Sequence, residues 1–291
     1  MNDFILATSS TCDLDRSWLE EHHIPFISYT YEFEGKVFED DCTEFSRRVF
    51  YGKMKEGKLP STSQISVFRY MEFFKLLLRE GKPVLYLEMD RAISGSFNNA
   101  VLAAKEIRED DPDAILWVVN TGCITMGMAL LIKEAYKFKE SGASFEEVRD
   151  FAREYGKKTA HRFLVDDLQW LRRGGRLSNA SAFIGTLLSI KPVIYLPEDG
   201  SLVAYTKLRG KLKAMSQLIS DSQKDIGEGE GKNIIVGFSD NKEEGEKWKE
   251  RVKEAFPKAS SVELMELGPV IGCHVGPGFL SIVYFAEERR P

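Results

Sequence analysis

Two segments rich in hydroxyl side chains lie where the sequence predicts helices to begin. Ser61-Thr62-Ser63-Gln64 precedes an apolar helical pattern, and Ser94-Gly95-Ser96 lies between a short apolar run and another helical pattern. A helix start offers unpaired backbone N–H groups and the positive end of its dipole, which favour a carboxylate or a phosphate. The hydroxyls of Thr62, Ser94 and Ser96 add donors there, so we expect an anion site. Simple N-capping by Thr62 and Ser94 is the competing interpretation.

A basic turn, Arg172-Arg173-Gly174-Gly175-Arg176, is the second feature able to bind an anion. Guanidinium groups match carboxylates and phosphates, and the paired glycines let the backbone approach another molecule closely. Residues 207–213, which include Arg209, add to this positive patch, although an ordinary solvated surface is the competing interpretation. The segment that follows the basic turn is apolar on almost every side, and its apolar residues include Phe183, Ile184, Leu187 and Leu188. An anion site therefore adjoins an apolar one.

The third feature, residues 268–278, is rich in Gly and Pro and contains His274. The composition predicts an irregular loop, and the neighbouring glycines leave room for a ligand beside the imidazole. A small-molecule hydrolase or transferase that uses Ser94 or Ser96 with His274 is therefore an alternative function. The chain lacks the GxSxG, P-loop and GxGxxG motifs and the spacing of metal ligands, so we predict no cofactor and no metal site.

Length and charge narrow the class of protein. The 291 residues are enough for two medium-sized domains, and the formal net charge of -5 argues against a nucleic-acid binder. Four cysteines lie far apart, which predicts neither a zinc site nor a disulfide framework. With no signal-peptide pattern at the start and no run of 18 apolar residues, we expect a cytoplasmic protein.

The order of apolar runs and helical patterns predicts an α/β fold of two domains. Residues 1–160 read as a Rossmann-like domain with a parallel sheet, and residues 161–291 as an α/β domain with a mixed sheet. Pro197-Glu198-Asp199-Gly200 predicts a hairpin turn within the second domain. The expected strands are residues 4–7, 26–33, 84–88, 114–119, 162–165, 191–196, 202–206, 233–238, 261–267 and 279–285. The expected helices are residues 14–22, 97–107, 126–138, 145–156 and 242–256.

Together these motifs closely resemble the DegV family of fatty-acid-binding proteins over essentially the whole chain. The matching motifs are Ser61-Thr62-Ser63-Gln64, Ser94-Gly95-Ser96-Phe97, Asp166-Asp167-Leu168, Arg172-Arg173-Gly174-Gly175-Arg176, Ile190-Lys191-Pro192, Arg209-Gly210-Lys211 and residues 268–278. The resemblance implies a two-domain DegV-like fold that encloses one long-chain fatty acid between its lobes. It also implies a bacterial carrier that presents the fatty acid to a separate ATP-dependent fatty acid kinase, which makes an acyl phosphate for phospholipid synthesis. Such a carrier is not itself an enzyme, and its role allows transient contact with a membrane.

The resemblance also assigns roles to particular residues. It implies that Thr62 and Ser94 bind the carboxylate, and we add Ser96 to this set. It implies that Arg173, Arg209 and His274 support kinase engagement and phosphoryl transfer. The expected tunnel walls are Phe183, Ile184, Leu187 and Leu188, for which a place in the core is an equally good interpretation. The chain departs from the family pattern at Ser9, Ile65, Asn120 and residues 97–99.

The energetics of an alkyl ligand agree with a carrier. Enclosing a methylene group gains about 0.8 kcal/mol, so some fourteen methylenes offer roughly 11 kcal/mol before the cost of ordering the ligand. Neutral hydroxyl donors then suffice for the head group. A third hypothesis, a regulatory protein that docks another protein through its basic patch, also fits the charge pattern.

Overall fold

The computed structural model describes residues 3–177 and 190–291, which form three sheets with flanking helices. The strands are β1 (Ile5–Ser9), β2 (Phe26–Ile27), β3 (Thr30–Phe33), β4 (Lys36–Glu39), β5 (Pro60–Ser63), β6 (Val84–Glu88), β7 (Leu116–Asn120), β8 (Thr159–Leu164), β9 (Ile190–Tyr195), β10 (Val203–Arg209), β11 (Asn233–Phe238), β12 (Ser261–Glu266) and β13 (Leu280–Phe285). The helices are α1 (Arg16–Glu21), α2 (Glu44–Lys55), α3 (Val67–Leu78), α4 (Ser96–Asp110), α5 (Thr125–Glu140), α6 (Phe145–Lys158), α7 (Gln169–Arg173), α8 (Lys211–Ile226), α9 (Lys242–Ala255) and α10 (Pro269–Val275).

The first lobe, residues 3–158, is built on a parallel sheet in the order β2-β1-β6-β7. Every residue of β1 and β6 is buried, as expected for strands covered by helices on both faces. Helix α6 begins with a capping box in which Ser144 and Glu147 satisfy each other's backbone N–H groups. A small antiparallel sheet, β4-β3-β5, lies beside this layer.

The second lobe, the described residues from 159 onward, is built on a six-stranded mixed sheet in the order β10-β9-β8-β13-β11-β12. The predicted hairpin turn joins β9 to β10, with Gly200 at a φ of +78° and its N–H donated to the Pro197 carbonyl. The predicted mixed α/β class and the two kinds of sheet are confirmed. The boundary near residue 160 stays a prediction, and β8 begins at Thr159.

The largest apolar core is continuous between the lobes. It runs from the parallel sheet through the buried face of α5 to one face of the six-stranded sheet, where Phe163, Ile235 and Val283 belong to it. A second cluster fills the opposite face of that sheet under α8 and α9, around the fully buried Trp248. Within the described residues, no helix is long and apolar enough to cross a membrane.

Three sequence predictions about local structure were wrong. Residues 26–33 are not one strand, because Phe26–Ile27 joins the parallel sheet and Thr30–Phe33 belongs to the small antiparallel one. Thr62 lies in strand β5 and not at a helix start, since Ser66 is the N-cap of α3 and accepts from the Arg69 N–H. Residues 268–278 are not irregular, because they contain α10.

Candidate functional site

Strand β5 and helix α10 bring Thr62 and His274 together, although 212 residues separate them in sequence. The Thr62 Oγ1 and His274 Nε2 atoms are 2.9 Å apart. Helix α10 starts with Pro269 in its first turn, where a missing N–H costs nothing, and it places His274 in its last turn. The chain therefore pairs a hydroxyl and an imidazole at the contact between the small antiparallel sheet and α10.

The imidazole of His274 is neutral near pH 7. Burial, helped by the positive charge of Arg176, lowers the pKa of His274 to about 4. Its Nδ1 atom is buried and has no hydrogen-bond partner within residues 3–177 and 190–291, and it faces Gly174. In the tautomer with the proton on Nε2, the ring donates to Thr62 Oγ1 and leaves the Thr62 hydroxyl hydrogen for a ligand.

The serines follow β6, with Ser94 on the loop that leads into α4 and Ser96 at the first position of that helix. Ser94 is 8 % exposed and its Oγ accepts a hydrogen bond from the Ser96 N–H at 3.2 Å. Ser96 is completely buried and its Oγ accepts from the Ile65 N–H at 3.0 Å. A Cβ on Gly95, which lies between them, would be 2.6 Å from the amide end of the exposed Gln64 side chain, so that side chain would have to move aside. The loop that follows β5, the strand that carries Thr62, is thus fastened to the serine loop.

An apolar cavity reaches this place from the interior. Its described walls come from both lobes and include Ile93, Ile124, Phe163, Ile271, Phe279 and Val283. Ile93 directly precedes Ser94, and His274 and Arg176 also lie in the wall. The space not filled by atoms is about 550 Å³, of which about 40 Å³ admits the centre of a water-sized sphere. The cavity between the described walls is therefore narrow.

Arg176 is the arginine of the basic turn that lies at this cavity. Its Nε donates to the Ile93 carbonyl at 3.2 Å, and its Nη1 donates to the Gly174 carbonyl. Arg176 thereby ties the turn after α7 to the loop that carries Ser94. Arg173 and Arg209 are exposed, and the Arg173 guanidinium lies 5.3 Å from the centre of the Trp170 ring. Of these three arginines in the positive patch, Arg176 therefore lies at the cavity, whereas Arg173 and Arg209 face solvent.

A known protein family matches this chain over nearly its whole length. The model of the family described as "Uncharacterised protein, DegV family" matches residues 4–287. The chain belongs to the DegV family. A DegV domain-containing protein of Streptococcus pyogenes is 36 % identical over 288 residues and covers 99 % of both chains.

Solved DegV structures share the whole fold. A fatty-acid-binding DegV family protein from Thermus thermophilus matches with a TM-score of 0.88 and 27 % identity, over 97 % of this chain and 99 % of that one. A stearic-acid-binding protein from Eubacterium ventriosum matches with a TM-score of 0.89 and 27 % identity, over 98 % and 99 % of the two chains. The predicted family and fold are therefore confirmed.

The predicted site residues of this DegV protein fall into four groups. Thr62 and His274 are in contact, and Ser94 and Ser96 form one hydrogen-bonded loop. Arg173 and Arg209 are exposed, and no described contact joins either of them to His274. The tunnel residues Phe183, Ile184, Leu187 and Leu188 lie outside the described residues. Their roles, like those of the other six, stay predictions.

Two buried groups of the DegV protein escaped the sequence analysis. Glu88 is fully buried at the end of β6, and a charged residue at the end of the apolar run 84–87 was a usable signal. Asp13 and Asp40 converge on Gly268, where a Cβ would meet both carboxylates. Burial, with a contribution from Asp40, raises the pKa of Asp13 to about 8, and burial raises the pKa of Asp40 to about 6.

No cluster of three or more His, Cys, Asp or Glu side chains in the described ranges could hold a metal ion. The two acids at Gly268 are a pair only, and Arg47 lies beside them with its Nη2 donated to the Asp13 carbonyl. What the site can do chemically is bind a polar head group through neutral donors while apolar walls enclose a chain.

Proposed function

We propose that the protein binds one long-chain fatty acid between its lobes and presents the carboxylate to a separate ATP-dependent fatty acid kinase. The kinase would convert the carboxylate to an acyl phosphate for phospholipid synthesis. The observation that carries this proposal is the apolar cavity whose wall holds the Thr62 partner His274 and the Ser94 neighbour Ile93. An apolar space whose wall residues lie next to the hydroxyls of Thr62 and Ser94 suits an amphipathic ligand with a small acidic head.

Relatives support the nature of the ligand. The similar proteins from Thermus thermophilus and Eubacterium ventriosum bind a fatty acid and stearic acid, respectively. This chain matches each of them over nearly its full length, which supports a similar ligand for the cavity between its lobes. Each enclosed methylene contributes about 0.8 kcal/mol, which lets the alkyl chain supply most of the affinity.

The head-group site suits a protein that presents a carboxylate to a kinase better than one that binds an anion tightly. Its donors are the neutral hydroxyls of Thr62 and Ser94, and a neutral donor leaves a carboxylate oxygen more available than a salt bridge does. The exposed Arg173 and Arg209 are free to meet a partner and to stabilise negative charge on a phosphoryl group. We therefore propose the protein as a non-catalytic carrier whose ligand is modified by its partner.

The alternative hydrolase or transferase has weaker geometric support. Within residues 3–177 and 190–291, the hydroxyl that bonds to the His274 Nε2 is that of Thr62 and not that of Ser94 or Ser96. A general base is normally held by a third group on its other nitrogen, whereas Nδ1 of His274 faces the backbone at Gly174. Ser96 is also fully buried and locked by the Ile65 N–H.

A kinase assay with matched arginine variants tests the proposal. The protein, loaded with oleate, is incubated with a purified fatty acid kinase and ATP, and acyl phosphate is trapped with hydroxylamine. We expect Arg173→Ala to retain oleate and to lower acyl phosphate formation about a hundredfold. The neighbouring residue Arg172 is also exposed, and we expect Arg172→Ala to retain oleate and to support acyl phosphate formation at the wild-type rate. Turnover without any kinase, or an Arg173→Ala variant that equals wild type, would contradict the proposal.

A further inference from the structure

Ser281 carries a buried hydroxyl in the wall of the apolar cavity. The residue lies in β13, which has β8 on one side and β11 on the other, and it is 3 % exposed. Its Oγ atom forms no hydrogen bond within residues 3–177 and 190–291. Most buried hydroxyls are paired, because an unpaired one loses its hydrogen bonds to water and gains none in exchange. This hydroxyl therefore calls for a partner other than the described residues.

The surroundings of Ser281 leave its hydroxyl open to the cavity. Phe279 and Val283, which lie two residues away on either side in the same strand, also line the cavity and belong to the core between the lobes. Side chains two apart in a strand share a face, so Ser281 faces that core as well. Its cross-strand neighbour Gly237 has no side chain to cover the hydroxyl, and a Cβ there would clash with the Ser281 Oγ.

Neighbouring polar side chains on β8 are already paired. The His161 Nε2 accepts from the Ile124 N–H at 3.3 Å, and the other ring nitrogen donates to a backbone carbonyl at 3.0 Å. Burial lowers the pKa of His161 to about 3, so the ring is neutral near pH 7. Arg162 reaches Asp225, to which its Nη1 donates at 2.6 Å. Ser281 therefore supplies the unused hydroxyl on the cavity side of β8 and β13.

Ser281 and the predicted head-group residues belong to different elements around one cavity. Thr62 is in β5 and His274 is in the last turn of α10, whereas Ser281 is inside the six-stranded sheet. The chain between His274 and Ser281 contributes Val275 and Phe279 to the same wall. An acyl chain that fills the cavity from a carboxylate at Thr62 therefore meets Ser281 with its alkyl part.

We propose that Ser281 is a specificity-determining residue that favours acyl chains with an oxygen atom, as a hydroxyl or a keto group, in their alkyl part. This inference rests on the proposed function, because it places the carboxylate at Thr62 and Ser94. The Ser281 hydroxyl can donate to either kind of oxygen and can also accept from a ligand hydroxyl. A plain alkyl chain leaves both capacities unused, so the wild-type cavity gives up part of its affinity for such a chain.

Ser281→Ala removes the hydroxyl with little change in volume. Ser222→Ala removes another buried hydroxyl, from α8 on the opposite face of the sheet, and is the matched control. The ligands are stearates with a hydroxyl, keto or methyl substituent at carbon 8, 10 or 12, together with plain stearate. A methyl group is close to a hydroxyl in size but forms no hydrogen bond, so it controls for the shape of the substituent.

Titration calorimetry on the delipidated full-length protein measures each affinity relative to the methyl-substituted acid. At one or more positions, we expect Ser281→Ala to lower the relative affinity for the hydroxy and keto acids about tenfold, since the ligand oxygen then loses its partner. Ser222→Ala should keep the wild-type ratios, and plain stearate should bind Ser281→Ala at least as tightly as wild type. Ratios that Ser281→Ala leaves unchanged at all three positions overturn the inference.

A measurement on wild type alone covers a Ser281→Ala variant that does not fold. The keto stretching frequency of each bound ¹³C-labelled oxostearate is compared with that of the same acid in an alkane solvent. We expect a lower frequency at one position or more, as a donated hydrogen bond weakens the carbonyl bond. Alkane-like frequencies at all three positions overturn the inference.

Plain stearate separates this inference from the proposed function. A wild-type protein that binds neither stearate nor any substituted acid overturns the proposed function and this inference with it. A protein that binds stearate, with ratios that do not depend on Ser281, overturns the inference alone.

Discussion

Substitution of Gly174 by alanine tests whether the site depends on the position of the His274 ring. A Cβ on Gly174 would lie far inside the contact distance of the His274 Nδ1 atom. The backbone accepts alanine without strain, because Gly174 has a φ of −71°. The ring is the part that must move, and it has to withdraw by about 1 Å to restore an ordinary contact near 3.5 Å.

That movement is large compared with the hydrogen bond it disturbs. The distance between Thr62 Oγ1 and His274 Nε2 is 2.9 Å, so a shift of about 1 Å takes the pair beyond hydrogen-bond range. Loss of one such bond costs about 1 kcal/mol, or roughly a fivefold weaker binding of oleate. A displaced ring also regains water, so the pKa of His274 should rise from about 4 toward its ordinary value of about 6.5.

Oleate titrations and NMR of the histidine side chains as a function of pH measure both effects. The matched control is Gly175→Ala, since Gly175 has nothing within 4 Å of a Cβ but a φ of +67°. That control should cost about 1 kcal/mol of folding stability through backbone strain and leave His274 and oleate binding unchanged. A Gly174→Ala variant with the wild-type His274 titration and wild-type affinity would refute the reasoning.

Two more predictions concern stability. Between the ordinary aspartate pKa of about 3.9 and the pKa of about 8 in the fold, native Asp13 keeps a proton that the unfolded chain releases. Stability should therefore fall as pH rises through this window, by up to about 1.4 kcal/mol per unit, and Asp13→Asn should flatten the slope of unfolding free energy against pH in urea titrations. Arg289 donates to the carbonyls of Gly122, Gly156 and Pro197, so Arg289→Ala should lower the free energy of unfolding by about 2 to 3 kcal/mol in the same assay.

The controls for these two predictions are simple. Asp199→Asn changes an exposed aspartate whose pKa is lowered by hydrogen bonds with Ser201, so it should not flatten the slope between pH 5 and pH 8. Identical slopes for Asp13→Asn and wild type would contradict the first prediction. An exposed arginine on α6, Arg153, gives the second control, and equal stability losses for Arg153→Ala and Arg289→Ala would contradict the second.

The sequence predicted the elements whose signals are local. The apolar run 84–88 coincides with β6, and the patterns at 145–156 and 242–256 correspond closely to α6 and α9. Each of these helices has its own cap, at Ser144 and at Asn241, so neighbouring residues alone define its start. Elements of this kind can be predicted without knowledge of the tertiary structure.

Helix α10 was missed although its signals were present. Pro269 in the first turn is a usual signal for the start of a helix. Gly276 after the last residue, with a φ of +73°, is a usual signal for its end. The internal Gly272 made the segment look irregular. The fold requires that glycine, because a Cβ there would lie 2.7 Å from the Phe50 ring.

The candidate site depends on contacts that no local pattern reveals. Thr62 and His274 meet across 212 residues, and Tyr29 reaches Glu88 across 59. The family motif singled out Thr62, but the argument from a helix start was wrong because Thr62 lies in β5. A hydroxyl-rich segment can form a strand as well as begin a helix, and here the pairing of β5 with β3 decides between them.

The central claim is that an alkyl chain lies between the lobes with its acidic end at Thr62 and Ser94. Its most direct test is mass spectrometry of the lipid extracted from the purified protein, with a Thr62→Val, Ser94→Ala double variant extracted in parallel. We predict close to one long-chain fatty acid per wild-type chain and at least a tenfold loss in the folded double variant. An empty wild-type protein that also refuses added oleate, or equal fatty acid content in both proteins, would contradict the account.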